Sequence, residues 1–202
     1  MLIAFEGGDG TGKSTQARLL AERLGPDTLF THQPGATTLG ASIRAVLLDP
    51  ATVGLDARAE ALLYAADRAQ HVAEVVRPAL DAGRVVITDR YSHSSIAYQG
   101  VGRDLGAEAV ASVSAFATGG LAPDLVVLLV VAPATREARL GARGGRDRLE
   151  SAGEDFHRRV EAAFLDLAAA DPDRWVVIDG DTDVDAVAAR VWAAVEGRLP
   201  VG

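Results

Sequence analysis

Cysteine is absent from this 202-residue chain, and so is asparagine. The first absence excludes disulfides, thiolate catalysis and cysteine-held zinc or iron–sulfur centres. The second excludes the N-K-x-D motif with which GTPase switches read guanine. Lysine occurs once, at Lys13, and every other basic residue is arginine. A chain that uses arginine everywhere else keeps a compact, flexible ammonium at this one position, which a planar guanidinium does not imitate. No apolar run reaches the roughly 18 residues of a membrane span. The opening Met1-Leu2-Ile3-Ala4-Phe5-Glu6 lacks the basic segment and cleavage site of a secretory leader, so a cytoplasmic location is expected. Acidic residues outnumber basic ones 28 to 20, a net charge of −8, which argues against binding long nucleic acid. With 49% hydrophobic and 24% charged residues, the composition is that of a folded protein, and the length fits a single domain over residues 1–202.

The apolar runs alternate with amphipathic ones. Leu2–Phe5, Leu29-Phe30, Val85–Thr88, Leu125–Val131 and Trp175–Ile178 read as strands, the fourth as the most apolar and therefore central. Between them, helices are expected over Lys13–Leu24 (with Ala17, Leu20, Ala21 and Leu24 as its buried stripe), Thr37–Leu48 and Asp56–Asp81. Others are expected over Ser94–Gln99, Ala107–Ala117, Thr135–Leu140, Glu154–Ala170 and Val184–Glu196. Gly141–Gly153, rich in glycine and arginine, reads as a loop. Strand–helix alternation of this kind predicts an α/β fold, a parallel sheet covered by helices on both faces.

Gly7-Gly8-Asp9-Gly10-Thr11-Gly12-Lys13-Ser14 satisfies G-x-x-x-x-G-K-[ST] between a predicted strand and a predicted helix,. Glycines let successive backbone N–H groups converge on an anion, and the helix start adds its dipole. Lys13 then neutralises the outer phosphates and the Ser14 hydroxyl is placed for Mg²⁺. The chain is the size of a small-molecule kinase, which needs a second phosphate site.

Tyr64, Arg68 and His71 stand at i, i+4 and i+7 of the long helix and share one face, a ring beside a guanidinium suited to a nucleobase; a buried tyrosine with a surface arginine is the plainer alternative. Asp89-Arg90 ends an apolar strand, where a carboxylate points into the ligand crevice of such a sheet and Arg90 can bridge two phosphoryl groups; the plainer alternative is a turn ion pair. Asp9 and Asp89 are candidates for orienting cations. Arg136, Arg139, Arg143, Arg146 and Arg148, spaced by Gly141, Gly144 and Gly145, read as a closing lid or as a solvated basic loop, with the last three arginines weighted as the lid itself.

Together these residues resemble the thymidylate kinase family over nearly the whole chain. Phe5-Glu6-Gly7-Gly8-Asp9-Gly10-Thr11-Gly12-Lys13-Ser14-Thr15 is similar to the family's phosphate loop, and Tyr64-Ala65-Ala66-Asp67-Arg68-Ala69-Gln70-His71 to its base-binding helix, where Phe is more usual than Tyr64. Asp89-Arg90-Tyr91 with Ser94-Ser95-Ile96-Ala97-Tyr98-Gln99-Gly100 resembles its central signature, and Asp147-Arg148-Leu149-Glu150 the end of its lid. The resemblance implies a P-loop nucleoside-monophosphate kinase fold with a five-stranded parallel sheet, a homodimer, and the reaction ATP + dTMP → ADP + dTDP with Mg²⁺, in dTTP synthesis. It implies that Gly7 to Thr15 bind ATP, with Ser14 and Asp89 at the metal. It places Tyr64 on thymine, Arg68 at its O4 edge, Ser95 and Gln99 near the base, Tyr98 under the sugar, and Pro34, Arg44 and Arg90 at the acceptor. Lys13, Asp9, Arg90, Arg143, Arg146 and Arg148 are the implied catalytic set. No basic residue lies between Gly7 and Gly12, as in the subgroup that catalyses from the lid. Where the family usually reads T-R-E-P-G-G-T, this chain has Thr31-His32-Gln33-Pro34-Gly35-Ala36-Thr37, and Gln33 cannot anchor an arginine by charge. Another small P-loop kinase, or a catalytically weak nucleotide-binding homologue, is the alternative reading.

Overall fold

The computed structural model describes residues 1–199, the side chain of Arg143 excepted. Five strands form one parallel sheet: β1 (Leu2–Glu6), β2 (Thr28–His32), β3 (Val85–Asp89), β4 (Leu125–Val130) and β5 (Trp175–Asp179), in the order β2-β3-β1-β4-β5. The middle strand is therefore β1, and β4, expected at the centre, lies beside it. Leu125 to Leu129 are nonetheless all buried, because helices cover both faces and leave no polar side to the strand. Burial of each large apolar side chain contributes roughly 1.5–3 kcal/mol.

Alternate residues of β1 serve opposite layers. Ile3 and Phe5 pack with Ala17 and Leu20 of α1 (Lys13–Leu24) and with Val187, Val191 and Val195 of α9 (Val184–Glu196). Leu2 and Ala4 face Val72, Val76 and Tyr91. On that second face Val126 and Leu128 join Tyr98 and Phe156, Val160 and Phe164 of α8 (Glu154–Ala170). Of the stripe expected on α1, Ala17 and Leu20 are buried, while Ala21 and Leu24 are half-buried at the edge of the same layer.

Thr37 caps α2 (Thr38–Leu48) by accepting from the Gly40 amide. Asp56 does the same for α3 (Ala57–His71), which runs through a π-helical stretch, Val72–Val76, into α4 (Arg77–Asp81). The helix expected over Ser94–Gln99 is instead a short α5 (Ser92–Ser95) followed by a π-helical segment, Ile96–Gly102. Its cause is tertiary: the segment is wedged between α6 (Ala107–Thr118) and α8, so that Ala97, Tyr98, Gln99, Gly100 and Gly102 are all buried,. A Cβ at Gly102 would stand 2.7 Å from the Phe156 ring. The expected loop over Gly141–Gly153 is also corrected. α7 spans Pro133–Arg143 and ends at Gly144, where φ is +72°, so only its later part is irregular. Alanine and arginine favour the extra helical turn, and the glycine stops it.

The sheet order places a reversal of direction at β1: the chain leaves toward β2 and β3 on one side and β4 and β5 on the other. At such a switch point the carboxyl ends of the strands open into a crevice. Gly7–Ser14, Asp89–Arg90 and His32 all emerge there, because the register sets Phe5 and His32 beside Asp89.

Candidate active site

The loop between β1 and α1 needs its glycines. Gly7, Gly10 and Gly12 have φ of +134°, +79° and +95°, and a Cβ on Gly7 would lie 2.3 Å from the Leu129 carbonyl oxygen. Lys13 is buried, and its Nζ donates to the Gly8 carbonyl at 2.5 Å and to Thr11 Oγ1 at 3.4 Å. Burial first, then the neighbouring Arg90 charge, lowers its pKa to about 8 against the opposing pull of Asp9, Asp89 and Glu6. The Ser14 hydroxyl donates to Asp89 Oδ2, and Asp89 Oδ1 is buried with no partner among the described residues. That hydroxyl and that free carboxylate oxygen are hard oxygen donors of the kind Mg²⁺ takes, so these residues fit the ion.

Arg90 sits where loop and sheet meet, at a left-handed φ of +69° that non-glycine residues seldom adopt,. Glu6, missed in the sequence, fixes that turn from the last position of β1. Its fully buried carboxylate accepts from the Tyr91 amide at 2.9 Å, the Ser94 amide at 3.2 Å and Ser94 Oγ at 2.5 Å. Burial raises the Glu6 pKa, and these bonds and Arg90 oppose the rise. An acid on the last strand residue before a phosphate loop was the available signal. Arg90 Nη1 donates to the Gly7 carbonyl and Ser94 Oγ, both at 3.0 Å; Nη2 donates to Asp9 Oδ1 at 2.5 Å and Tyr98 Oη at 3.2 Å. Tyr98 Oη in turn donates to Asp9 Oδ2 at 2.8 Å. Burial alone would raise the Asp9 carboxyl, but the charges of Arg90 and Lys13 and these hydrogen bonds hold it well below the carboxylate range.

The face of α3 carries Tyr64, Arg68 and His71, all buried. Arg68 Nε donates to Gln33 Oε1 at 3.0 Å, and Nη2 donates to the Tyr91 carbonyl at 3.1 Å and Ser95 Oγ at 3.0 Å. Its Nη1 is buried without a partner among the described residues. Since Gln33 turns its oxygen to Arg68, its nitrogen faces His71 Nδ1 at 2.7 Å, and His71 Nε2 bonds Thr31 Oγ1 at 2.7 Å. This pattern makes His71 a neutral ring with its proton on Nε2. Burial first, then His32 and Arg68, lowers the His71 pKa to about 4. Gln33 thus holds the Arg68 guanidinium through a neutral acceptor and not through an opposite charge,. Arg44 Nη1 donates to the Pro34 carbonyl at 2.9 Å, and the Gln33–Pro34 peptide is cis.

Two adjoining cavities result. The larger, about 560 Å³, is lined by Lys13, Ser14, His32, Asp89 and Arg139 among others; the smaller, about 80 Å³, by Pro34, Tyr64, Ser95, Tyr98, Gln99 and Leu149. Asp9, Gln33, Arg44, Arg90 and Asp147 border both. Arg146 and Arg148, two of the arginines expected in the lid, are not gathered here. Arg146 pairs with Glu137 on the surface, and Arg148 Nη1 pairs with Glu60 at 2.7 Å while its Nε donates to the Leu47 carbonyl at 2.8 Å. Arg143's side chain lies outside what is described. Among the described arginines of residues 136–148, it is Arg139 that hydrogen-bonds the phosphate loop, donating to the Gly10 and Thr11 carbonyls at 3.4 and 3.3 Å and to the Gly180 carbonyl at 3.0 Å. Arg136 is bonded to Glu161.

A family model described as thymidylate kinase matches residues 5–191, nearly the whole of the chain that builds this cleft. The chain belongs to the thymidylate kinase family. With the family comes the activity, ATP-dependent phosphorylation of dTMP to dTDP. The thymidylate kinase of Bifidobacterium longum is 50% identical over 205 residues, covering 98% of this chain and 97% of its own. That of Leifsonia xyli is 52% identical over 204 residues, with 98% and 96% covered. The crystal structure of thymidylate kinase from Ehrlichia chaffeensis superposes with a TM-score of 0.79 at 30% identity, covering 97% and 98% of the two chains. The family's five-stranded α/β sheet and the sheet described above are thus the same architecture.

Proposed function

We propose that the single domain of residues 1–202 performs its family's reaction within this one cleft, ATP in the larger cavity and dTMP in the smaller. The observation that carries the assignment is the bridge between the two: Arg90 and Asp9 line both cavities and are bonded to each other. Gly7 to Thr15 hold the ATP phosphates through backbone N–H groups and Lys13. Ser14 and Asp89 hold Mg²⁺, which when bound offsets phosphate charge. Beside Gly12 a further hollow, lined by Thr15, Arg139, Gly180 and Thr182, takes the adenine.

Tyr64 stacks on thymine, the unpartnered Arg68 Nη1 donates to its O4, and Ser95 and Gln99 complete the base pocket. Pro34 and Arg44 border the acceptor phosphate, and Tyr98 fills the floor under the sugar, crowding a 2′-hydroxyl. Because the acceptor oxygen is already anionic, no strong general base is needed, and catalysis rests on alignment and placed charge. Lys13 and Arg90 face the transferring group and Asp9 orients Arg90. Arg143 and Arg146 supply further charge when the lid covers both nucleotides, excluding water that would otherwise hydrolyse ATP. Arg148 anchors the end of that lid through Glu60.

A homodimer and a cytoplasmic location complete the reading. Leu62 on α3 and Phe116 on α6, 59% and 91% exposed on neighbouring helices, support the dimer. Charged, water-soluble substrates support the location. The test is ADP release from Mg·ATP with dTMP, dUMP, UMP, CMP, AMP or GMP in turn. Strong turnover with dTMP, weaker with dUMP and little with the rest is expected; ATP binding without turnover on any acceptor would refute it.

A further inference from the structure

Glu60, so far named only as the partner of Arg148, is a fully buried carboxylate on α3, behind the smaller cavity. Its oxygens accept from Gln99 Nε2 at 2.9 Å, from Arg103 Nε and Nη2 at 3.2 Å each, and from Arg148 Nη1 at 2.7 Å. Two guanidinium groups therefore keep it ionised. Although burial acts to raise its pKa, the bonds from Gln99, Arg103 and Arg148 lower it overall.

An ionised carboxylate only accepts hydrogen bonds. The Gln99 amide, 1% exposed and packed in the π-helical segment, has one way to satisfy such a neighbour, which is to turn its nitrogen toward Glu60. Its carbonyl oxygen is then the polar atom left for the cavity that Gln99 lines. Arg68, bonded to Gln33 and Ser95 of the same cavity's lining, keeps Nη1 as a buried donor with no partner among the described residues. One donor and one acceptor are thus set for a base edge.

We propose that Glu60 is a specificity-determining positioning residue, which holds the Gln99 amide so that an acceptor faces the base and thereby selects thymine against cytosine. Thymine offers a carbonyl at position 4 and an N–H at position 3, complementary to Arg68 Nη1 and Gln99 Oε1. Cytosine offers an amino group and a bare ring nitrogen there, so donor meets donor and acceptor meets acceptor. Unpaired buried polar groups make that mismatch costly. In Glu60→Gln the remaining carbonyl still accepts from Arg103 Nη2 and Arg148 Nη1, while the new nitrogen replaces the oxygen that took both Gln99 and Arg103 Nε; it gives up the Arg103 Nε bond, donates to Gln99, and the Gln99 amide reverses. The inference rests on the reading that the smaller cavity takes the base of dTMP.

The experiment is ADP release at saturating Mg·ATP with dTMP or dUMP, and with dCMP as a competitive inhibitor of dTMP, so that dCMP binding is read without its turnover. The parent, Glu60→Gln and Glu60→Asp are compared. In Glu60→Gln the preference for dTMP over dCMP is expected to fall about tenfold or more, the worth of one hydrogen bond of this kind. The preference for dTMP over dUMP, which share the edge, stays within about twofold. Glu60→Asp keeps an acceptor-only group and keeps the dTMP preference over dCMP within about threefold, whatever happens to overall activity. A merely structural role would lower dTMP, dUMP and dCMP recognition together with the preferences intact, and that result overturns the proposal, as does a collapse of discrimination in Glu60→Asp, which decides the matter where Glu60→Gln does not fold. A parent that fails to prefer dTMP to dCMP would instead refute the pocket assignment, and the proposal with it.

Discussion

One buried imidazole, His71, and one half-buried imidazole, His93, make the fold acid-labile, and the effect can be worked out from their surroundings. His71 is locked as a neutral ring between Gln33 and Thr31. His93 packs edge-on against Trp175 at 4.8 Å, with its Nδ1 buried and unpartnered. Burial is the first cause of the depression of each pKa from 6.5 to about 4. Between those two values the unfolded chain binds a proton that the folded protein refuses, so stability is full above pH 6.5 and is lost as pH falls toward 4. From pH 7 to pH 5 each histidine costs roughly 1.8 kcal/mol, and the pair about 3.7 kcal/mol. For a domain of this size that lowers Tm by roughly 7–15 °C. Glu6 and Asp67, whose carboxyls are raised first by burial, work in the opposite direction as pH falls, so the histidine share is isolated by comparing variants at each pH. His93→Phe keeps the ring contact and removes both the proton site and the orphan nitrogen. Thermal unfolding by circular dichroism should show its Tm at or above the parent's at pH 7, with about half the parent's loss at pH 5. A parent Tm that is flat from pH 7 to pH 5, or a His93→Phe slope equal to the parent's, would refute the reasoning.

Arg90→Ala should lower kcat by about 10³-fold while the Kd for ATP, measured by titration calorimetry, changes by less than about threefold; equal kcat in both proteins would remove Arg90 from the transition state. Lys13→Arg should abolish measurable turnover, because the buried Nζ site between the Gly8 carbonyl and Thr11 Oγ1 takes a compact ammonium and not a planar fork,; turnover within tenfold of the parent contradicts this. Gly102→Ala sets a Cβ 2.7 Å from the Phe156 ring and 3.0 Å from Val160 Cγ2, and should cost about 1–3 kcal/mol in urea unfolding; an unchanged midpoint would mean that α8 yields freely there.

Local chemistry decided much of this protein before any folding. The five strands and the phosphate loop were legible because β-branched runs and a strand–glycine–lysine–helix pattern depend on near neighbours alone. So was the shared face of Tyr64, Arg68 and His71, which follows from helical period. The helix starts expected at Thr37 and Asp56 lie at the residues that cap α2 and α3 in the fold.

What the tertiary structure decided is how distant side chains divide their hydrogen bonds. Leu125–Val130 is as apolar as a central strand, yet its place beside the middle depends on which crossover the chain takes. Ile96–Gly102 became π-helical because α6 and α8 close on it from both sides, a constraint absent from its own residues. Arg139, set aside in the sequence, meets the phosphate loop because α7 docks across Gly10, whereas Arg148 turns away to Glu60, 88 residues earlier in the chain. Gln33 looked like the loss of a charge. In the fold it is the amide whose two ends join Arg68 to His71, and such a relay exists only where three separate segments bury their polar atoms together and must satisfy one another.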